Sequence, residues 1–210
     1  MSRTASGCSS GPAVICLLAG HSSRMGRPKQ HLVIAGRTFL EHLLARLSGV
    51  RDRLGPLCFV GQAHDDEGRE AIFRFGGRWI VNPAPGDGPL SSIRLALAEI
   101  PEGRGFLLWP VDHPLVAVST LEALLDAIGI DAERIVAPSD GERRGHPSYF
   151  PAWAREELLS CPLEAGAKLV LQRHPDLITH VVSNDPWIRR NINTPELLAE
   201  AEQELTRSGP

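Results

Sequence analysis

No apolar run in this chain approaches the ~20 residues that a membrane-spanning helix needs. The opening segment, MSRTASGCSSGPA, lacks the hydrophobic centre of a secretory signal and reads as a flexible lead-in over residues 1–12. Cysteine is scarce: Cys8, Cys16, Cys58 and Cys161 lie far apart and form no C-x-x-C pair. That argues against a disulfide framework or a cysteine metal site and favours reduced thiols in a cytoplasmic protein. The eight histidines are scattered, with no H-E-x-x-H spacing. Excess charge is lacking too. A net charge of −3 with no basic run argues against a nucleic-acid groove or a polybasic membrane patch.

What is present is an alternation of short β-rich runs with longer amphipathic stretches. Strands are expected at Ala13–Ala19, Leu57–Gly61, Trp79–Asn82, Phe106–Trp109, Ile135–Ala137 and His180–Ser183. Helices are expected at Thr38–Arg46, Pro89–Ile100, Val118–Ile128 and Ala152–Ser160, with a last one starting at Thr194 and Pro195. Tyr149-Phe150, between Pro147 and Pro151, suits a short antiparallel strand. The pattern implies an α/β fold of βαβ units: one domain over 13–205, with a mainly parallel sheet covered by helices on both faces. A length of 210 residues suffices for such a core.

The segment LLAGHSSRMGRPK (17–29) carries the most chemistry. A strand runs straight into a loop holding Gly20, Ser23, Arg24, Gly26 and Lys29. Backbone N–H donors followed by fixed cations are what a polyphosphate needs; a Gly/Ser loop with two solvated cations is the plainer alternative. The spacing is neither that of a Walker loop nor a G-x-G-x-x-G fingerprint, which disfavours a dehydrogenase. Pro28 keeps the residue before it extended, so Arg24 and Lys29 can converge on one anion. Asp112 follows the strand GFLLW and belongs on the same rim, where it serves either as a Mg²⁺ ligand or as a turn or helix-capping carboxylate. Asn82 caps a turn or contacts a nucleotide. Trp79, Trp109 and Trp187 suit core or lid positions.

The segment LLAGHSSRMGRPK is similar to the L-A-A-G-x-S-x-R-M-G-x-x-K signature of the MobA-like nucleotidyltransferases. The resemblance continues through GPLSSI, PVDHPLV, RRGHPSYF, EAGAK and NINTPELL. It implies a Rossmann-like, doubly wound fold and a Mg²⁺-dependent transfer of NMP from a nucleoside triphosphate to a small phosphorylated acceptor such as molybdopterin. Arg24, Lys29 and Asp112 are the catalytic residues it implies. Leu18, Ala19, Gly20, Ser23, Arg24, Lys29, Gly88 and Ser92 form the implied nucleotide site, and Asp112 with Asn191 the metal site. Asn191 stands where the cytidylyl branch has an acid, so helix capping remains its other reading. His146 either contacts the acceptor or stabilises its turn, and Lys168 stands where the family often has arginine.

The methyl of Ala19 favours a pyrimidine, hence CTP, and Ser92 matches the cytidylyl branch, whereas Gly-Pro-Leu at 88–90 looks guanylyl-like. GTP-dependent molybdenum-cofactor guanylyltransferase, sugar- or polyol-phosphate cytidylyltransferase and a non-catalytic nucleotide-binding regulator are the alternatives. The expected partners are the nucleotide and acceptor, without nucleic acid or membrane; a molybdoenzyme partner is compatible with the resemblance.

Overall fold

The computed structural model describes residues 11–20 and 26–208. Its elements are β1 (Ala13–Leu17), β2 (Val33–Ile34), β3 (Arg37–Thr38), α1 (Phe39–Gly49), β4 (Leu57–Gly61), α2 (Asp66–Arg74), β5 (Arg78–Val81), α3 (Pro89–Glu99), β6 (Phe106–Pro110), α4 (Val118–Ile130), β7 (Ile135–Ser139), β8 (Ser148–Phe150), α5 (Ala154–Ser160), α6 (Lys168–Arg173), β9 (Ile178–Val182) and α7 (Pro195–Ser208).

Seven strands form one sheet in the order β5-β4-β1-β6-β8-β7-β9. All neighbours pair in parallel except β8, which runs antiparallel to β6 and β7. Its register sets Phe106 opposite Phe150, and their rings stack at 5.6 Å between centroids. Because side chains alternate across a strand, β1 sends Val14 and Cys16 into one cluster and Ala13 and Ile15 into the other. The first cluster packs beneath α1 and α4, through Leu43, Leu47, Leu121 and Leu124. The second packs beneath α3, α5 and α6, through Ile93, Leu97, Leu158 and Val170. Strands buried on both faces read as continuous apolar runs, which is why AVICL and LCFVG were visible in the sequence.

The mainly parallel, helix-covered sheet is the expected one. The expected lead-in falls almost wholly outside the described residues. β1 ends at Leu17 rather than Ala19, since Leu18 makes one last N–H bond to the Val60 carbonyl, 2.8 Å. The first helix starts as Thr38 dictates. Its hydroxyl accepts from Glu41 N–H at 3.1 Å, and its own N–H donates to the Glu41 carboxylate at 2.7 Å, a reciprocal capping box. The β2–β3 hairpin was not expected: its turn residues Ala35 and Gly36 have φ of 49° and 76°, and alanine gives no signal for a left-handed position. Helix α2 was missed because Gly68 and Ile72 are its only buried residues.

Phe59, fully buried on β4, measures how far the structure depends on this core. Phe59→Ala is expected to lower stability by about 3–5 kcal/mol and Thr38→Ala by about 1 kcal/mol. Equilibrium urea unfolding checks both, and equal effects would contradict the ranking.

Candidate active site

Strand order reverses between β1 and β6, and a cleft of about 810 Å³ opens beyond their carboxyl ends. Such a crevice is where open α/β sheets bind ligands, and its size is within the range of small-molecule sites. Leu18, Ala19, Gly20, Lys29, Gly88, Ser92, Asp112, His146 and Asn191 all line it. Ser23 and Arg24 lie outside the described residues.

On the β1 side, the chain beyond Gly20 returns at Gly26, whose φ is 68°, and at the extended Pro28. Lys29 then opens a short 3₁₀ turn, Lys29–His31. Its Nζ donates to Asp112 Oδ2 at 2.9 Å, with both side chains largely buried. The expected cation-opposite-carboxylate rim is therefore a direct ion pair in this structure.

Asp112 does not cap the helix that follows. α4 begins at Val118, and Asp185 serves its first turn by accepting from Ala117 N–H at 2.7 Å and the Thr120 hydroxyl at 3.0 Å. Asp112 is instead held by its backbone: its carbonyl accepts from Ile192 N–H at 2.7 Å. This bond brings the NINTPELL segment against the Asp112 turn and puts Asn191 on the same cleft. Helix capping at that end belongs to Thr194, whose hydroxyl accepts from Leu197 N–H at 3.3 Å. Asp112 and Asn191 are hard oxygen donors, and Mg²⁺ characteristically takes one or two carboxylates and completes its shell with phosphate oxygens and water. The residues fit such a cation.

On the β5 side, Asn82 is buried and makes its contacts inside the protein. Its Nδ2 donates to the Ser91 and Ser92 hydroxyls at 2.9 Å each, and its Oδ1 accepts from Ala84 N–H at 2.8 Å. It caps the turn and holds Ser92 at the cleft. Gly88, at φ 86°, is the left-handed residue that lets the chain enter α3 with Pro89 in the first turn.

The third wall comes from β8 and the start of α6. Gly145 is packed so closely that a Cβ would stand 2.3 Å from the Ile188 carbonyl oxygen. His146, whose N–H donates to that carbonyl at 2.7 Å, sits 4.8 Å from His113, ring centre to ring centre. Burial pushes the His146 imidazole down to about 4, and His113 adds to the shift against the opposing influence of Asp112. Burial also lowers His113. Near neutral pH both rings are uncharged, so among the described residues the positive charge lining the cleft comes from Lys29, Arg144 and Lys168. Arg144 was missed by the sequence reading, although the RRGH segment contains it. Trp109 is core, and Trp187 lies beneath the Arg190 guanidinium, 5.3 Å from its ring centre.

Residues 14–177 match the family model described as MobA-like NTP transferase domain. A molybdenum cofactor guanylyltransferase from Rhizobium meliloti is 32% identical, with 91% of this chain and 90% of that protein covered. A probable molybdenum cofactor guanylyltransferase from Bacillus cereus is 26% identical over 92% of this chain and 97% of its own. Among solved structures, Rv0371c in complex with manganese, from Mycobacterium tuberculosis, superposes with a TM-score of 0.75 at 23% identity, covering 92% of this chain and 98% of that one. The similarity extends over nearly the whole chain.

The partly buried His146 gives the metal-free protein an acid-sensitive stability. Its folded value lies below the ordinary 6.5, so its contribution is complete above about pH 6.5 and is lost as pH falls toward 4. Urea unfolding is expected to lose on the order of 2–3 kcal/mol across that window from this group. His146→Gln should flatten the slope; an unchanged slope would contradict the assignment.

Proposed function

The chain belongs to the MobA-like NTP transferase family, and on that premise we propose that it transfers GMP from GTP to a molybdopterin-type phosphate, releasing pyrophosphate. The observation that carries this reading is the Lys29–Asp112 pair at the mouth of the cleft, where a triphosphate needs both a cation and a carboxylate-held metal. The acceptor phosphate oxygen attacks the α-phosphorus, a new P–O bond forms, and the bond to the β-phosphate oxygen breaks with its electron pair leaving on pyrophosphate. Lys29, with Arg24, stabilises charge on that leaving group. Asp112 and Asn191 hold the divalent cation, which neutralises phosphate charge when bound. An already ionised acceptor phosphate needs no general base. Positioning and charge neutralisation then account for most of the rate.

The purine replaces the pyrimidine expected from Ala19 for two reasons. Ala19 is only 2% exposed, so its methyl takes little of the cleft surface. The relatives that align over nearly the whole chain are named guanylyltransferases. Leu18–Gly20 together with Gly88 and Ser92, which line two walls of the cleft, are assigned to the nucleotide, and His146 and Lys168, which line another part of it, to the acceptor. A cytoplasmic setting is part of this reading, and the buried, unpaired Cys16, Cys58 and Cys161 suit a reducing compartment.

Pyrophosphate release is measured with magnesium, comparing GTP and CTP in the presence of molybdopterin. Acceptor-dependent release with GTP is expected. Lys29→Ala and Asp112→Ala should each lower turnover by roughly 10²–10³. Near-normal turnover in Lys29→Ala, or release with CTP alone, would overturn the respective part of the reading.

A further inference from the structure

Lys29 is carried by a 3₁₀ turn, and that turn is gripped from behind by one carboxylate. Asp65 follows β4 and is 9% exposed. Its Oδ2 accepts from Gln30 Nε2 at 2.6 Å, and its Oδ1 from His31 Nε2 at 2.8 Å and Gly68 N–H at 2.9 Å. Gln30 is 1% exposed, and its Oε1 has no partner among the described residues, so Asp65 is what fixes its amide. The carboxylate lies flush on the first turn of α2: a Cβ on Gly68 would stand 2.6 Å from Oδ2. Burial alone would raise the Asp65 carboxyl, yet the bonds from Gln30, Gly68 and His31 hold it below its ordinary range.

The placement has a consequence for the site. β4 and β6 are the two neighbours of β1. Asp65 leaves the first and Asp112 the second, so the turn carrying Lys29 is bracketed by a carboxylate from each flanking strand. Asp112 meets Lys29 itself, inside the cleft. Asp65 meets the two residues after it and is not part of the cleft wall.

We infer that Asp65, Gln30 and His31 are positioning residues for nucleotidyl transfer: they fix the turn from which Lys29 reaches the triphosphate and affect the reaction through Lys29 alone. This rests on the role given to Lys29 above. A plain anchor for α2 would have the same contacts but a different energetic signature, because its loss would be independent of Lys29.

A double-mutant comparison separates the two. Affinity for magnesium-GTP, by titration calorimetry, and kcat/KM for pyrophosphate release are measured for Asp65→Ala and Gln30→Met, with Lys29 intact and in Lys29→Ala. A loss of about 10- to 100-fold is expected with Lys29 present, the scale of a small misplacement of a reacting group. In the Lys29→Ala background the further loss should be under about 2-fold. Equal losses in both backgrounds, or none in either, overturn the inference. Gln30→Met leaves the Asp65–Gly68 bond in place, so it decides the matter if Asp65→Ala does not fold. In Asp65→Asn the Gln30 amide can turn over and offer Oε1 to the new donor, restoring kcat/KM to within about 3-fold of wild type. An Asp65→Asn protein as impaired as Asp65→Ala also overturns the inference. If Lys29→Ala itself is near normal, the failure is that of the proposed function, and it is visible before any Asp65 variant is compared.

Discussion

The placement of β1 is the constraint on which the molecule depends. It has no free edge, pairing in parallel with β4 on one side and β6 on the other, and it has no free face, since its side chains feed both apolar clusters. Every backbone group along it is committed until Leu18 gives its N–H to Val60. Beyond that point neither neighbour offers a ladder partner, and the chain must turn through glycine. The exits of β1 and β6 are remote in sequence but adjacent in space, which is why a loop near residue 20 and a carboxylate at 112 share a cleft. The site is a consequence of strand order, with local chemistry added at the strand ends.

Much of this was legible from residue types because the sheet is buried on both faces. Continuous runs such as AVICL and GFLLW announce central strands, and Thr38 with Glu41 announces a helix start whose hydrogen bonds the structure contains. Motif residues remote in sequence, Lys29 and Asp112, also came together on one rim of the sheet as the βαβ pattern implied. What escaped was short, polar or dependent on remote partners. Helix α2 presents little apolar surface, and the β2–β3 hairpin turns through a left-handed alanine. Asp65 sits in AHDDEG, where nothing in the local sequence distinguishes a buried, triply bonded carboxylate from its exposed neighbour Asp66. Two of its three partners, Gln30 and His31, are more than thirty residues away, and only the fold supplies them.

The choice of base illustrates a limit of another kind. A methyl group at Ala19 changes the shape available to a ligand only where that methyl is exposed, and burial leaves it little surface with which to discriminate. Ser92 lines the same cleft and carries a polar group: its oxygen accepts a hydrogen bond from buried Asn82, which leaves its own hydrogen available to an acceptor atom. On the proposed reading, discrimination at that wall depends on which acceptor atoms a base edge presents there, and Asn82 has a part in it through Ser92.

The electrostatics of the cleft bear on how a nucleotide would enter it. Lys29 and Asp112 satisfy one another at 2.9 Å, in a setting where either charge left alone would be costly. A bare triphosphate could attract Lys29 only by setting its own negative charge beside an abandoned Asp112. A triphosphate arriving with a divalent cation relieves both groups at once, giving Lys29 the phosphates and Asp112 the metal. With the neighbouring imidazoles uncharged near neutral pH, Lys29 is the charged partner of Asp112 among the described residues. On the proposed reading, the ion pair holds both side chains in the cleft before the nucleotide arrives and disfavours the nucleotide without its metal. The same pair that marks the site thus imposes a preference on the form of its substrate.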